Sequence, residues 1–297
     1  MWARAGFVDR LYVGYFVGLC ALIVIQRSSV PAWPALVAWH AAGLAVVLTL
    51  VAAARRAPWA HAWYPVLMPL VTFPAIAQLN LMFADGWRDR HLLALESWLF
   101  AVTPTFWLRD VTPPLLAELF QIGYLSYFLL LVVVAGVFRR RGQDAPFHGV
   151  IAASVLAYFA CYAVFLTCPM EGPVHTLRQV PGPAPAGGPF HALVLFVQQA
   201  GVHGNAFPSA HVAGALPPLV FACRYRPRLG AVLAVLIVLM GCGAVYDGYH
   251  YVSDVVAGVV VGAAAAALVL AVQGSPTWAR RFRLPATPAR PTSRARS

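Results

Sequence analysis

Two short segments hold the residue types that could do chemistry. One reads Gly204-Asn205-Ala206-Phe207-Pro208-Ser209-Ala210-His211. The other reads Val245-Tyr246-Asp247-Gly248-Tyr249-His250-Tyr251-Val252-Ser253-Asp254. Pro208 suits the first turn of a helix, where its missing N–H costs nothing. A helix start leaves free backbone N–H groups and a positive dipole end, which together favour an anion. Ser209 adds a hydroxyl donor and His211 an imidazole. His250 and Asp254 are four positions apart, so a helix would put them on one face. Asp254 can accept from one ring nitrogen of His250 and fix its tautomer, leaving the other as a nucleophile. A second histidine can protonate a leaving oxygen. Two histidines, an aspartate and a helix N-terminus suit phosphoester chemistry through a phosphohistidine. Three other readings stay open on spacing alone. The His250–Asp254 pair can be a structural hydrogen bond at a helix end. His211, His250 and Asp254 can ligate a metal, although no further carboxylate cluster supports one. Ser209 can act as a hydrolytic serine, although no nucleophile elbow surrounds it.

The elements that must position these residues are membrane helices. Of 297 residues, 61% are hydrophobic and 10% charged. Soluble domains run near 45–50% and 25%, so a soluble fold of this size is excluded. Eight apolar runs stand out: Leu11–Ile25, Pro34–Ala53, Trp63–Phe83, Leu115–Phe138, Phe147–Thr167, Pro208–Cys223, Leu229–Tyr246 and Val252–Val272. A span needs about 20 residues, so the first and sixth must draw on their flanks. The formal net charge is +11, with 21 Arg and no Lys. A basic chain can bind nucleic acid, but here the Arg cluster between apolar runs, as in membrane topology. With eight spans and a cytoplasmic N-terminus, 16 Arg fall inside. Only Arg27, Arg88, Arg90, Arg109 and Arg178 fall outside. That partition follows the positive-inside rule. It puts both termini in the cytoplasm and both motif segments at the outer face of a cell membrane of bacterial type.

Two outer loops are long. In Ala84–Pro114, His91–Phe100 reads as a short interfacial helix. In Cys168–Phe207, the Pro- and Gly-rich stretch Val180–Pro189 excludes regular structure. Residues 274–297 read as a basic, disordered cytoplasmic tail. Cys20, Cys161, Cys168, Cys223 and Cys242 show no zinc or redox spacing. The first apolar run lacks a cleavage pattern and reads as a retained anchor. Trp59, Trp63, Trp98 and Trp107 read as an interface belt. Glu118 reads as a partner for an outer Arg or as a group facing headgroup water.

The motif residues resemble the membrane type 2 phosphatidic acid phosphatase (PAP2) superfamily, including its lipid phosphotransferase branch. Phe207-Pro208-Ser209-Ala210-His211 is similar to the family's second motif. His250, Asp254 and the run to Gly258 are similar to its third. The resemblance covers roughly Leu115 to Val272. It implies His250 as nucleophile, Asp254 as its orienting partner and His211 as general acid and then base. Ser209 and the backbone of Ala210 would hold phosphate oxygens. The family's third motif usually opens with Ser-Arg, where this chain has Gly243-Ala244. The first motif is absent. In its place stands Cys168-Pro169-Met170-Glu171-Gly172-Pro173-Val174-His175-Thr176-Leu177-Arg178. Arg178 is therefore the leading candidate for a phosphate clamp, with Arg109 behind it and His175 third. The form His250-Tyr251-x-x-Asp254 is similar to inositol phosphorylceramide and sphingomyelin synthases.

The expectation is an all-α polytopic bundle of about eight spans with a six-helix PAP2-like core. Residues 1–58 form two added helices, 59–273 the catalytic membrane domain and 274–297 the tail. The leading function is a lipid phosphate phosphatase, a monoester or diphosphate hydrolase, acting at the outer face. A lipid phosphotransferase to a lipid or polyol hydroxyl is the alternative. A non-catalytic transporter or scaffold is the rival from another class; it would want inverted repeats or broken helices near mid-membrane. No cofactor and no metal are expected. The partners are a lipid phosphate and a water or alcohol acceptor, with no nucleic acid.

Overall fold

The computed structural model describes residues 5–178, 180–199 and 201–273. The tail expectation, at 274–297, lies outside these. Among the described residues the chain is all helix, without a strand. α1 (Phe7–Ile25) and α2 (Trp33–Ala53) form an N-terminal hairpin. α3 (Pro58–Leu67), α4 (Pro69–Ala77), α5 (Asp89–Phe100) and α6 (Pro104–Val111) follow as shorter pieces. α7 (Pro114–Arg140) and α8 (Asp144–Thr167) are long. α9 (Pro173–Thr176) and α10 (Pro189–Gln199) interrupt the second long loop. α11 (Ala210–Tyr225), α12 (Pro227–Tyr246) and α13 (Val252–Gln273) complete the bundle.

Six of these, α1, α2, α7, α8, α12 and α13, are long and apolar enough to cross a membrane. That is consistent with a multi-pass membrane protein. The other two expected spans take different forms. The third is not one helix: α3 ends at Leu67 and α4 restarts at Pro69. Proline at 69 has no N–H for the Pro65 carbonyl. The hydroxyl of Tyr12 on α1 donates to that oxygen instead (3.1 Å). The sixth, α11, has 16 residues. It is enclosed by α7, α8, α12 and α13, so protein rather than lipid covers it. A helix so enclosed need not match the hydrocarbon thickness. Pro217 and Pro218 lie inside it and release carbonyls one turn earlier. Ser154 on α8 donates to one of them, the Gly214 carbonyl (3.3 Å).

Close helix approach is set by glycine. On α13, a Cβ at Gly258 would lie 2.6 Å from the Ser209 carbonyl oxygen. One at Gly262 would lie 2.6 Å from the Ala213 carbonyl oxygen. This small-residue repeat lets α13 lie directly on α11. On the other side, a Cβ at Gly123 of α7 would overlap α12 at Leu239, and one at Gly243 of α12 would lie 2.6 Å from the Phe120 carbonyl oxygen.

The loops are more ordered than expected. The interfacial helix is present as α5. The stretch 181–188 is irregular, as its prolines demand, but α10 follows it. Glu118 caps a helix: its carboxylate accepts the N–H groups of Phe190 (2.8 Å) and His191 (3.3 Å) at the start of α10. The capped N–H groups would otherwise lack partners.

Candidate active site

Ser209 is the N-cap of α11. Its hydroxyl accepts the Val212 N–H (3.4 Å) and keeps its own proton to donate. A serine cap sets the helix start one residue later. Pro208 therefore lies before the cap, after a cis peptide bond, and not in the first turn. The N–H groups of Ala210 and His211 have no protein acceptor among the described residues. With the Ser209 hydroxyl they make a cluster of donors at a positive helix end.

The second segment hangs from the end of α12. Gly248 adopts φ +83°, a left-handed conformation that glycine enters at no steric cost. Its N–H reaches the Val245 carbonyl (3.1 Å), and that of Tyr249 reaches the Ala244 carbonyl (2.9 Å). This is a Schellman ending, and it delivers His250, whose N–H also reaches the Ala244 carbonyl (3.1 Å). His250 thus lies outside α13, and helix periodicity does not join it to Asp254. Asp254 is the third residue of α13, and its Oδ2 reaches back to the Tyr251 N–H (2.8 Å). That is one half of a capping box. Glu96 of α5 supplies a further cap, its Oε1 accepting from the Ser253 N–H (2.8 Å) and hydroxyl (3.0 Å).

The two segments meet. His250 Nε2 is 3.3 Å from His211 Nδ1. His250 Nδ1 is 3.4 Å from Asp254 Oδ2. Nδ1 and Asp254 Oδ1 are both buried without a hydrogen-bond partner, so the pair is within reach but not aligned. Catalytic contacts are often loose before substrate binds. The Ser209 N–H donates to the Asp254 carbonyl (3.0 Å) and ties the two helix starts together. Burial pushes the His250 imidazole down to about 4, so it is neutral near pH 7 with a lone pair on one nitrogen.

Three groups that no motif announced complete the surroundings. The Tyr124 hydroxyl of α7 is 3.5 Å from His211 Nε2. The rings of Tyr127 and Phe73 stand 4.6 and 6.0 Å from the same imidazole. Near Tyr124, Gln121 Nε2 donates to Asp247 Oδ1 (2.9 Å). His191 Nδ1 lies 3.7 Å from that oxygen, and the Asp247 carboxylate raises its pKa above the ordinary value. Asp247 Oδ2 and Gln121 Oε1 are buried with no partner.

Of the eight expected site residues, His250, His211, Asp254, Ser209 and Ala210 come together. The other three do not join them. Arg109 of α6 donates to the backbone carbonyls of Tyr246 (2.7 Å), Asp247 (3.0 Å) and Pro183 (3.2 Å). It braces the turn that carries His250. Ala244 is wholly buried. Arg178 is exposed, and its side chain has no hydrogen bond or ion pair among the described residues. His175 packs on His203, with ring centroids 4.2 Å apart.

The segment from Met170 to Thr176 runs along both motifs. The Met170 carbonyl accepts the Ala206 N–H (3.3 Å), and the Val174 N–H donates to the Gly248 carbonyl (2.6 Å). The Thr176 and Tyr251 hydroxyls are 2.7 Å apart.

A profile of the PAP2 superfamily matches residues 90–268, well over half the chain, from α5 into α13. No curated protein and no solved structure matches the chain.

Proposed function

The chain belongs to the PAP2 superfamily, and on that premise we propose that it cleaves the phosphate ester or diphosphate of a membrane lipid through a phosphohistidine at His250. The observation that carries this reading is the 3.3 Å approach of His250 Nε2 to His211 Nδ1 beside the open N-terminus of α11. In the first step the lone pair of His250 Nε2 attacks phosphorus. The N–P bond forms, the bond to the leaving oxygen breaks, and His211, protonated on binding the anionic phosphate, gives its proton to that oxygen. Ser209 and the free N–H groups of Ala210 and His211 stabilise charge on the remaining oxygens. Asp254 accepts from Nδ1–H and steadies the imidazolium. In the second step His211 takes a proton from water as the water attacks phosphorus, and the N–P bond breaks. Free phosphate leaves, and both histidines return to their starting forms.

Arg109 is a positioning residue in this scheme, and the exposed Arg178 attracts the anionic lipid phosphate before it binds. The 16-to-5 division of Arg supports a site on the outer face with both termini inside.

A second reading has an observation of its own. Asp247 Oδ2 and Gln121 Oε1 are buried acceptors that lack donors, and unpaired buried acceptors are costly. Hydroxyls of an acceptor alcohol would satisfy them on the Tyr124 side of His211. That supports transfer of the phosphoryl group to a lipid or polyol hydroxyl in place of water.

The test is purified protein in lipid with a panel of donors: phosphatidate, a polyprenyl diphosphate, phosphatidylglycerol phosphate and an inositol phospholipid. Inorganic phosphate and new lipid products are both measured, with and without alcohol acceptors. Phosphate release alone supports hydrolysis, and a new phospholipid that needs the alcohol supports transfer. Neither product from any donor would favour the transporter or scaffold reading.

A further inference from the structure

Outside the reacting pair, the described residues bring together one set with the chemistry of a metal site. Glu171, His175 and His203 each offer one ligand atom, all within 4.8 Å of one another. They come from the two ends of the loop Cys168–Phe207. Glu171 Oε1 is 2.6 Å from His203 Nε2, so these two atoms already face each other. Asp89 of α5 accepts the N–H groups of Glu171 and Gly172, both at 2.8 Å, and fixes the backbone that carries the carboxylate. The Trp87 and His175 rings stand 5.1 and 4.2 Å from the His203 ring.

We propose that Glu171, His175 and His203 form a binding site for a divalent transition-metal ion of the zinc class. Two imidazole nitrogens and one carboxylate oxygen are a zinc ligand set that leaves a fourth tetrahedral position open. Such ligands stand about 2.0–2.1 Å from zinc, hence roughly 3.4 Å from one another. Small side-chain rotations bring atoms now within 4.8 Å of one another to that spacing, Glu171 Oε1 and His203 Nε2 opening slightly from 2.6 Å. Nitrogen donors favour zinc-like ions over magnesium or calcium. A bound ion would tie the His203 loop to the Met170–Thr176 segment, which is hydrogen-bonded to Ala206 and Gly248. The site therefore sits on the segment flanking the reacting pair. It contributes nothing to the proposed reaction and stands or falls independently of it.

The test uses full-length protein, without an oligohistidine tag, stripped with chelator in lipid nanodiscs. Zn²⁺ is titrated by calorimetry, and Co²⁺ is added separately to read its visible absorption. We expect one high-affinity Zn²⁺ per chain and the intense absorption of four-coordinate Co²⁺. His203→Ala, His175→Ala and Glu171→Gln should each weaken binding by at least about tenfold. His250→Ala should leave it unchanged. His203→Gln, which keeps bulk and polarity on an exposed loop, guards against misfolding and should also lose the site. The proposal is overturned if wild-type protein binds no Zn²⁺. It is equally overturned if these variants bind as wild type does, or if His250→Ala is the change that removes the ion.

Discussion

At the residue scale, the division of labour among the polar groups decides what each substitution should cost. His250→Ala removes the attacking nitrogen, and turnover in the donor panel should fall to background. Asp254→Asn keeps the reach to Tyr251 but loses the charge, so it should retain more activity than His250→Ala. Equal losses would argue that Asp254 does more than orient. Arg109 and Arg178 should separate. Arg109 fastens the turn before His250 by two carbonyl contacts and ties it to Pro183 by a third, so Arg109→Ala should lower kcat. Arg178 is exposed, and a screened surface charge does less, so Arg178→Ala should mainly raise KM. The reverse pattern would return the clamp to Arg178, the residue its position in sequence favours. Burial holds the His250 pKa near 4, and a nucleophilic imidazole must be neutral. The acid limb of kcat/KM, which reports the free enzyme, should therefore fall well below the ordinary value near 6.5. The same shift makes folding less favourable as pH drops from about 6.5 towards 4, because only the unfolded chain gains the proton there. A limb at or above pH 6.5 would show that His250 is not buried as described. His211, His250 and Asp254 were legible because each motif is a short local run. Tyr124, Gln121 and Glu96 were not, because they reach the site from helices that sequence alone cannot place beside it.

At the element scale, the site depends on how helices start, stop and touch. Asp247 and Gly248 end α12 in a Schellman motif, Ser209 caps α11, and Glu96 with Asp254 caps the start of α13. These are local signals, and the run Tyr246-Asp247-Gly248 is readable as a helix stop. What periodicity could not supply is how His250 and Asp254 meet. An i, i+4 reading joins them on one helix, whereas the structure joins them across a cap. Likewise the third apolar run breaks at Pro69, between α3 and α4, because hydropathy counts apolar residues and not missing N–H groups. Gly258 is where the two motif helices touch. A methyl there would lie 2.6 Å from the Ser209 carbonyl oxygen, a backbone atom that cannot rotate away. Gly258→Ala should therefore push α13 off α11, lowering both thermal stability and kcat. Gly14 has open space around its Cα, so Gly14→Ala should leave both near wild type. Unfolding curves and steady-state rates for the pair check this, and a Gly258→Ala protein with wild-type kcat would show that the contact does not position Ser209.

At the scale of the whole molecule, the membrane class follows from composition, and the end of the bundle that holds the site follows from connectivity. The starts of α11 and α13 and the ends of α8 and α12 lie together, as an alternating topology requires. From the Arg division we propose that this end faces the outside. In a background lacking Cys20, Cys161, Cys168, Cys223 and Cys242, a cysteine placed at Gly187 should react with an impermeant reagent on intact cells. One placed at Arg140 should react only after the membrane is opened. The opposite pattern would invert the molecule and put its substrate in the inner leaflet.

The central claim, a covalent phosphohistidine at His250, is tested most directly by trapping it. Purified protein in lipid is mixed for a short time with each ³²P-labelled donor of the panel, quenched in alkali and digested. The account predicts label on the peptide containing His250, stable to alkali and lost in mild acid, as a phosphoramidate is, and absent from His250→Ala protein. Label that survives acid and maps to Ser209, or turnover of a donor with no labelled protein at any time, would contradict it.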